Sequence, residues 1–307
     1  MLAALVAALA LQAPLPAPPT PTATLPPAQI DDTLEIGGEG VAARSVNTRL
    51  TVPVRVNGAG PFRFIVDSGA DRSVVGLGIA SRLELPPEDS VMLHSVAGAT
   101  RVSTVRVDSL SLGTTVIEGL TLPVLLDSHI GAAGLIGIDA LANQRLLLDF
   151  KRQLIQVEDS RRSATMLDGE IVVTARRRRG QLILTEVTVG GRRVSAVIDT
   201  GSEVTIGNMA LHRHMAQRRR GRPLRPVTLT SVTGASVEAD LAILPTIRIG
   251  RLELRDLTVA FADLPPFRLF GLADQPALLL GTDVLETFRR VALDFGRRRV
   301  RFQLRRE

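Results

Sequence analysis

The chain has 307 residues, 45% of them apolar, a formal net charge of +6, and no cysteine, tryptophan or tyrosine. That length accommodates two cores of ordinary size, and the missing cysteine excludes disulfides, thiolate nucleophiles and cysteine-ligated metals. Arginine runs at 176–179, 218–220 and 297–299 lack the interleaved aromatics that stack on bases, so they read as solvated turns and strand edges, and no nucleic-acid partner is expected.

Residues 1–13 read as a signal peptide. Met1 to Gln12 is almost wholly apolar and too short to span a bilayer as a helix, with small residues for cleavage at Ala10 or Ala13 but no positive n-region. Residues 14–30, rich in Pro, Ala and Thr, read as an extended linker. The expected location is therefore exported, periplasmic or secreted. The N-terminus is a tether if uncleaved, the mature form has no membrane span, and 14–45 is either a tether or an inhibitory arm.

Beyond the linker the apolar residues alternate. Val52, Val54 and Val56 fall on one face of a strand, and Thr51, Pro53 and Arg55 on the other. Asn57-Gly58 then signals a tight hairpin. Residues 102–107 and 182–189 alternate in the same way, and Gly190-Gly191 marks another turn. Helical patterns are short, at 74–83, at 209–217 and after Asp139 and Asp283. The chain is therefore expected to be mainly β. His212 and His214, two apart, would point to different faces of a helix, so no shared metal site is expected and no metal or cofactor is assigned.

The chain also repeats itself. Phe64-Ile-Val-Asp-Ser-Gly-Ala70 matches Ala196-Val-Ile-Asp-Thr-Gly-Ser202, and Ser95-Val-Ala-Gly-Ala99 matches Ser231-Val-Thr-Gly-Ala235. Leu110-Ser-Leu-Gly113 and Leu120-Thr-Leu match Ile247-Arg-Ile-Gly250 and Leu257-Thr-Val. Leu135-Ile-Gly-Ile-Asp-Ala-Leu141 and Leu147-Leu-Asp-Phe150 match Leu279-Leu-Gly-Thr-Asp-Val-Leu285 and Ala292-Leu-Asp-Phe295. Spacings agree with small insertions: Asp67 to Gly137 is 70 residues and Asp199 to Gly281 is 82, the extra loop lying around 261–276. Two lobes follow, at 31–160 and 161–307.

An apolar strand ending in Asp-Ser/Thr-Gly delivers a carboxylate to the floor of a cleft, with glycine allowing a sharp turn and a close approach. The hydroxyls of Ser68 and Thr200 are placed to bond across to the opposite lobe, supported by Gly69 and Gly201. Two facing carboxyls cannot both ionise, so Asp67 and Asp199 would hold one proton between them. One would activate a water while the protonated partner polarises a carbonyl; the sequence does not assign the proton to either residue. Asp139 and Asp283 are expected to cap the short helices that follow them, and Asp149 and Asp294 to be structural.

With these motifs the chain resembles the retropepsin-like and pepsin-like aspartic proteases over roughly residues 45–305. Asp67-Ser-Gly-Ala-Asp71 is similar to the active-site loop of retroviral-type proteases, and Asp199-Thr-Gly-Ser202 to that of pepsin-type lobes. Leu135-Ile-Gly137 and Leu279-Leu-Gly281 resemble the segment threaded beneath each loop, and the blocks that follow resemble bacterial members. The resemblance implies a bilobal acid-protease fold, two homologous β-barrel-like lobes with a cleft between them, and a metal-free aspartic endopeptidase with Asp67 and Asp199 catalytic. It also suggests that Asp71, and with it Glu203, pairs with arginine. The pepsin-type flap tyrosine is missing; Val96 and Gly98 in one lobe and Val232 and Gly234 in the other are the candidate flap residues. The expected partner is a peptide or protein substrate. Both aspartates lie on one chain, so a monomer is expected. The alternative is a catalytically weak or inactive peptide-binding or scaffold protein of the same fold.

Overall fold

The computed structural model describes residues 49–113, 115–141, 144–161, 170–216 and 225–305, and the backbone alone at 23–24, 41–42 and 44–46. The signal and linker segments lie outside the described residues, apart from Ala23–Thr24, which pairs in parallel with Val227 and Thr228. The protein is mainly β, with its strands in two sheets.

In the first lobe Arg49–Val56 and Ala59–Val66 form a hairpin. Val52, Val54 and Val56 are wholly buried, and Pro53 and Arg55 are exposed. Thr51, which alternation assigns to the outer face, is buried as well. At the turn, Asn57 and Gly58 have φ of 49° and 76°, the left-handed pair that a two-residue type I′ hairpin requires. Gly190 and Gly191 repeat it in the second lobe with φ of 56° and 81°.

Ala59–Val66 runs straight into Asp67. Gly134–Ile136 lies parallel beside it and antiparallel to Val74–Gly76. The second lobe repeats this: Arg192–Ile198 leads into Asp199, Ala277–Leu280 lies parallel to it, and Ile206–Gly207 pairs with Ala277–Leu280. Each aspartate therefore leaves a strand flanked on both faces by buried apolar residues. The predicted helix at 74–83 is helical only over Leu77–Arg82. Val74 and Val75, β-branched and thus suited to a pleated surface, pair with Leu135 and Gly134 instead. Within 209–217, Met209–Ala216 is helical, with His212 against the Phe261 ring and His214 beside Arg192.

Long antiparallel strands complete each lobe. Gly98–Leu112 pairs with Pro87–Ser95 at its start and with Arg49–Val56 at its end, folding the eight-stranded sheet back on itself. Ser236–Ile249 does the same between Arg225–Thr230 and Gln181–Val189.

The lobes join through Gln144–Asp149 and Arg290–Asp294, which pair antiparallel. These are the two copies of one repeated block, Arg145-Leu-Leu-Leu-Asp149 and Arg290-Val-Ala-Leu-Asp294. Antiparallel pairing of a motif with its own copy sets Arg145 opposite Asp294, Arg290 opposite Asp149, and Leu147 opposite Ala292 at the centre. Leu146, Leu148, Val291 and Leu293 point into the common core. On the other face Arg290 Nε lies 2.5 Å from Asp149, while Arg145 lies 3.7 Å from Asp294 and bonds Glu158. Asp149 and Asp294 also each accept the N–H three residues on, from Arg152 and Arg297, at 2.9 Å.

Arg145 is buried and pairs with carboxylates on both neighbouring strands, so removing it strands a buried charge. Arg145→Ala is expected to lower the unfolding free energy by about 3–5 kcal/mol in equilibrium urea denaturation. Arg248→Ala, on an exposed pair with Glu253, leaves it unchanged within error.

Candidate active site

The Asp67 N–H donates to the Ile136 carbonyl at 2.9 Å, and the Asp199 N–H to that of Leu280 at 3.0 Å. Each apolar-apolar-Gly strand thus fixes the backbone of its aspartate. The side chains are held as symmetrically. Asp67 Oδ1 accepts from the N–H groups of Gly69 (2.8 Å) and Ala70 (3.0 Å); Asp199 Oδ1 accepts from Gly201 (3.1 Å) and Ser202 (3.2 Å).

The two carboxyls face each other across the lobe interface, close enough for each to shift the other's proton affinity. Each also packs against the other loop's glycine. A Cβ added to Gly69 would lie 2.6 Å from the Asp199 carboxyl, and one added to Gly201 would lie 2.2 Å from that of Asp67. Behind them the hydroxyls cross. The Ser68 N–H donates to Thr200 Oγ1 (2.9 Å) and the Thr200 N–H to Ser68 Oγ (3.1 Å). The Ser68 hydroxyl donates to the Ile198 carbonyl (2.9 Å) and that of Thr200 to the Val66 carbonyl (2.7 Å).

A family model for aspartyl proteases matches residues 52–140 and 185–284, more than half of the chain. The chain belongs to the aspartyl protease family. No curated protein matches it. The two matched stretches each run from a first-hairpin strand to the helix after the apolar-apolar-Gly segment, one per lobe.

Removal from water pushes both carboxyls above their ordinary range. For Asp199 the charge of Asp67 adds to burial and carries the value to about 8. For Asp67 the N–H donors of Gly69 and Ala70 and the positive charge of Arg49 pull the other way.

Asp139 and Asp283 do not cap the helices after them; they lie inside Ile138–Leu141 and Thr282–Leu285. Each reaches back to the segment leaving the aspartate loop. The Ser73 N–H and hydroxyl donate to Asp139 at 2.9 and 2.7 Å, and Ser73 Oγ accepts the Gly137 N–H at 3.0 Å. Thr205, Asp283 and Gly281 repeat this at 2.9, 2.7 and 3.1 Å. A side chain that ties two chain segments has more to offer here than a cap on a four-residue helix. The only advance signal was positional: Ser73 and Thr205 each lie six residues past the aspartate.

Glu203 meets Arg49 at 3.0 Å. Among the described residues Asp71 pairs with no arginine; it accepts from the Gln181 amide. Both candidate flap segments form hairpin turns, and their tips reach the opposite lobe. Val96 packs against the apolar cluster of the second lobe, and Val232 against that of the first. Ser95 Oγ and Thr233 Oγ1 are 3.4 Å apart, and Gly234 sits against the His129 ring. Gly98, with φ of 133° and nothing within 4 Å of an added Cβ, marks the free side of its turn.

Two outcomes follow for stability. Thr200→Val keeps the shape but leaves the Ser68 N–H and Val66 carbonyl without this partner, an expected loss of about 2–4 kcal/mol in thermal or urea unfolding. Folding also raises the proton affinity of Asp199, Asp283 and Glu286, the latter two chiefly by burial. The folded state therefore binds more protons than the unfolded chain between about pH 4 and pH 8, and stability falls as pH rises through that window. Calorimetric Tm should decrease from pH 5 to pH 8, and Asp199→Asn should flatten the decline.

Proposed function

We propose that this chain is an aspartic endopeptidase in which Asp67 and Asp199 act together on a peptide bond. The observation that carries the reading is the pair of facing carboxyls, each packed against the other loop's glycine and each held by two N–H groups of its own loop. With one proton on the pair, the ionised carboxylate takes a proton from a water, whose oxygen bonds to the scissile carbonyl carbon. The protonated carboxyl donates to the carbonyl oxygen. The tetrahedral diol then collapses: one diol hydroxyl gives its proton to the ionised carboxylate as the carbonyl re-forms, the C–N bond breaks, and the departing nitrogen takes the proton held by the other carboxyl, so the pair again carries one proton.

The substrate is an extended peptide, held by the two flap hairpins through backbone hydrogen bonds. The apolar clusters behind the flaps, built from residues such as Leu125 and Ile130 on one side and Phe267 and Leu264 on the other, favour apolar side chains flanking the cut. Both aspartates belong to one chain, so a monomer is competent. No helix among the described residues is long and apolar enough to cross a membrane; the apolar start of the chain supports export to the periplasm or outside the cell.

Cleavage of a peptide library, followed by mass spectrometry from pH 3 to pH 9, tests this. Wild type should cut with a bell-shaped profile whose alkaline limb falls near pH 8, where Asp199 loses its proton. Asp67→Asn and Asp199→Asn should each lose about 10³-fold or more. Binding of peptides without cleavage at any pH would instead establish the inactive scaffold reading.

Gly201→Ala supplies a steric test of the same geometry. A methyl group there overlaps the Asp67 carboxyl and should abolish cleavage at every pH, with a stability loss of only about 1–3 kcal/mol in thermal melts.

A further inference from the structure

The two lobes are not equal at one position beside the dyad. In the first hairpin, Thr51 pairs with Ile65 and Val52 with Phe64; carrying that register on two residues sets Arg49 opposite Asp67. In the second, Ile183 pairs with Val197 and Leu184 with Ala196, which sets Gln181 opposite Asp199. Arg49 and Gln181 are thus copies of one position, 18 residues before each aspartate. Both reach to the opposite lobe and to copies of one position there, four residues after each aspartate. Arg49 meets Glu203, and the Gln181 amide donates to Asp71. One lobe contributes a guanidinium, always charged; the other contributes a neutral amide.

We propose that Arg49 is a positioning residue for the dyad: opposite Asp67, where the other lobe has only Gln181, it breaks the two-fold symmetry of the pair and keeps the negative charge on Asp67 and the shared proton on Asp199. This rests on the dyad reading given above and assigns its roles: Asp67 takes the proton from water, and Asp199 donates to the carbonyl oxygen.

The setting makes the charge effective. Arg49 has a side chain only 11% exposed, so solvent screens it little. Glu203, 28% exposed, lies 3.0 Å from Arg49 Nε, yet that Nε has no aligned hydrogen-bond acceptor. Glu203 therefore offsets part of the guanidinium's field at the dyad. The other ionisable groups nearby do not create the asymmetry. Asp71 faces Gln181, while Asp139 and Asp283 lie behind the two loops on Ser73 and Thr205, one in each lobe. His129 stands at the flap turn against Gly234. The positive charge of Arg49 acts on Asp67, whereas burial and the charge of Asp67 both keep the proton on Asp199.

Carboxyl-carbon NMR titration of aspartate-labelled protein reads the charge on each residue without requiring turnover, with Asp67→Asn and Asp199→Asn assigning the signals. In wild type, Asp67 should ionise first and Asp199 should stay protonated until about pH 8. An opposite charge within about 4–6 Å shifts a carboxyl by about one unit or more, and Glu203 offsets part of the effect of Arg49. Arg49→Gln should therefore raise the first ionisation by about one pH unit and divide it evenly between the two carboxyls. Arg49→Lys should restore the wild-type order. Glu203→Gln, which leaves the Arg49 charge unopposed, should move the first ionisation down. If Arg49→Gln does not fold, Arg49→Lys and Glu203→Gln still decide the matter. Equal sharing in wild type, no change in Arg49→Gln, or a shift of the same sign in Arg49→Gln and Glu203→Gln would overturn the assignment and make Arg49 a lobe tie only. Cleavage assays separate the two proposals. A protein that titrates as described but cuts no peptide retires the endopeptidase reading alone; one that cuts while its carboxyls titrate evenly retires the role of Arg49 alone.

Discussion

The crossed hydroxyl–backbone lock between Ser68 and Thr200 is the constraint on which the rest of the site depends. Four hydrogen bonds, from 2.7 to 3.1 Å, link the two aspartate loops at a buried point. Two carboxyls forced together in a medium of low polarity repel once both ionise. The loops would part unless something other than the carboxyls held them. The lock supplies that hold, and the glycines beside it let the carboxyls close the last few ångströms. Farther back, the same problem is solved again by Ser73–Asp139 and Thr205–Asp283, which tie each loop to the strand beneath it.

Hydrogen bonds of this kind are effective only if the groups that make them are already in place. The antiparallel pairing of Arg145–Asp149 with Arg290–Asp294 provides that frame. Pairing a segment with its own copy generates a local two-fold axis, and the same symmetry relates the aspartate loops, the flaps and the cross-lobe contacts of Arg49 and Gln181. The flap tips follow it too, each packing on the apolar cluster of the other lobe. The two hairpin tips are therefore each supported by the other half.

Much of this was legible in the sequence because the chemistry sits in contiguous blocks. Asp67-Ser-Gly and Asp199-Thr-Gly are local patterns, and their repetition gave them weight that neither has alone. Alternation at 51–56 and the Asn57-Gly58 turn marked the first hairpin because half-buried strands have period two. What stayed hidden was mostly contact across distance. Ser73 and Asp139 are 66 residues apart, and Asp139 next to a short apolar segment looks like a cap until the strand of Ser73 is laid beside it. Val74–Gly76 is too short to show a period, so the helix after it absorbed it. The helices Asp127–Ile130 and Pro265–Leu269 fall below the length at which a 3.6-residue pattern can be counted. The Gln181–Asp71 contact has no signal in the sequence, since the family resemblance points to an arginine where the second lobe has an amide.

That last difference bears on why a single chain holds two copies of one lobe. Identical halves can place two aspartates face to face but cannot distinguish them, since whatever stands beside one stands beside the other. The reaction proposed for them needs them to differ: at any instant one would be a base and the other an acid. In a symmetric pair the difference has to come from the substrate or from the instantaneous position of the proton. Once both halves lie on one chain, each can change alone. The changes that matter most are those closest to the carboxyls, where water does not screen them. Ser68 against Thr200 leaves the hydrogen bonding alike, so it does not choose a base. Arg49 against Gln181 introduces a full charge on one side of an otherwise balanced site, and it does so without disturbing the lock that holds the two aspartates together.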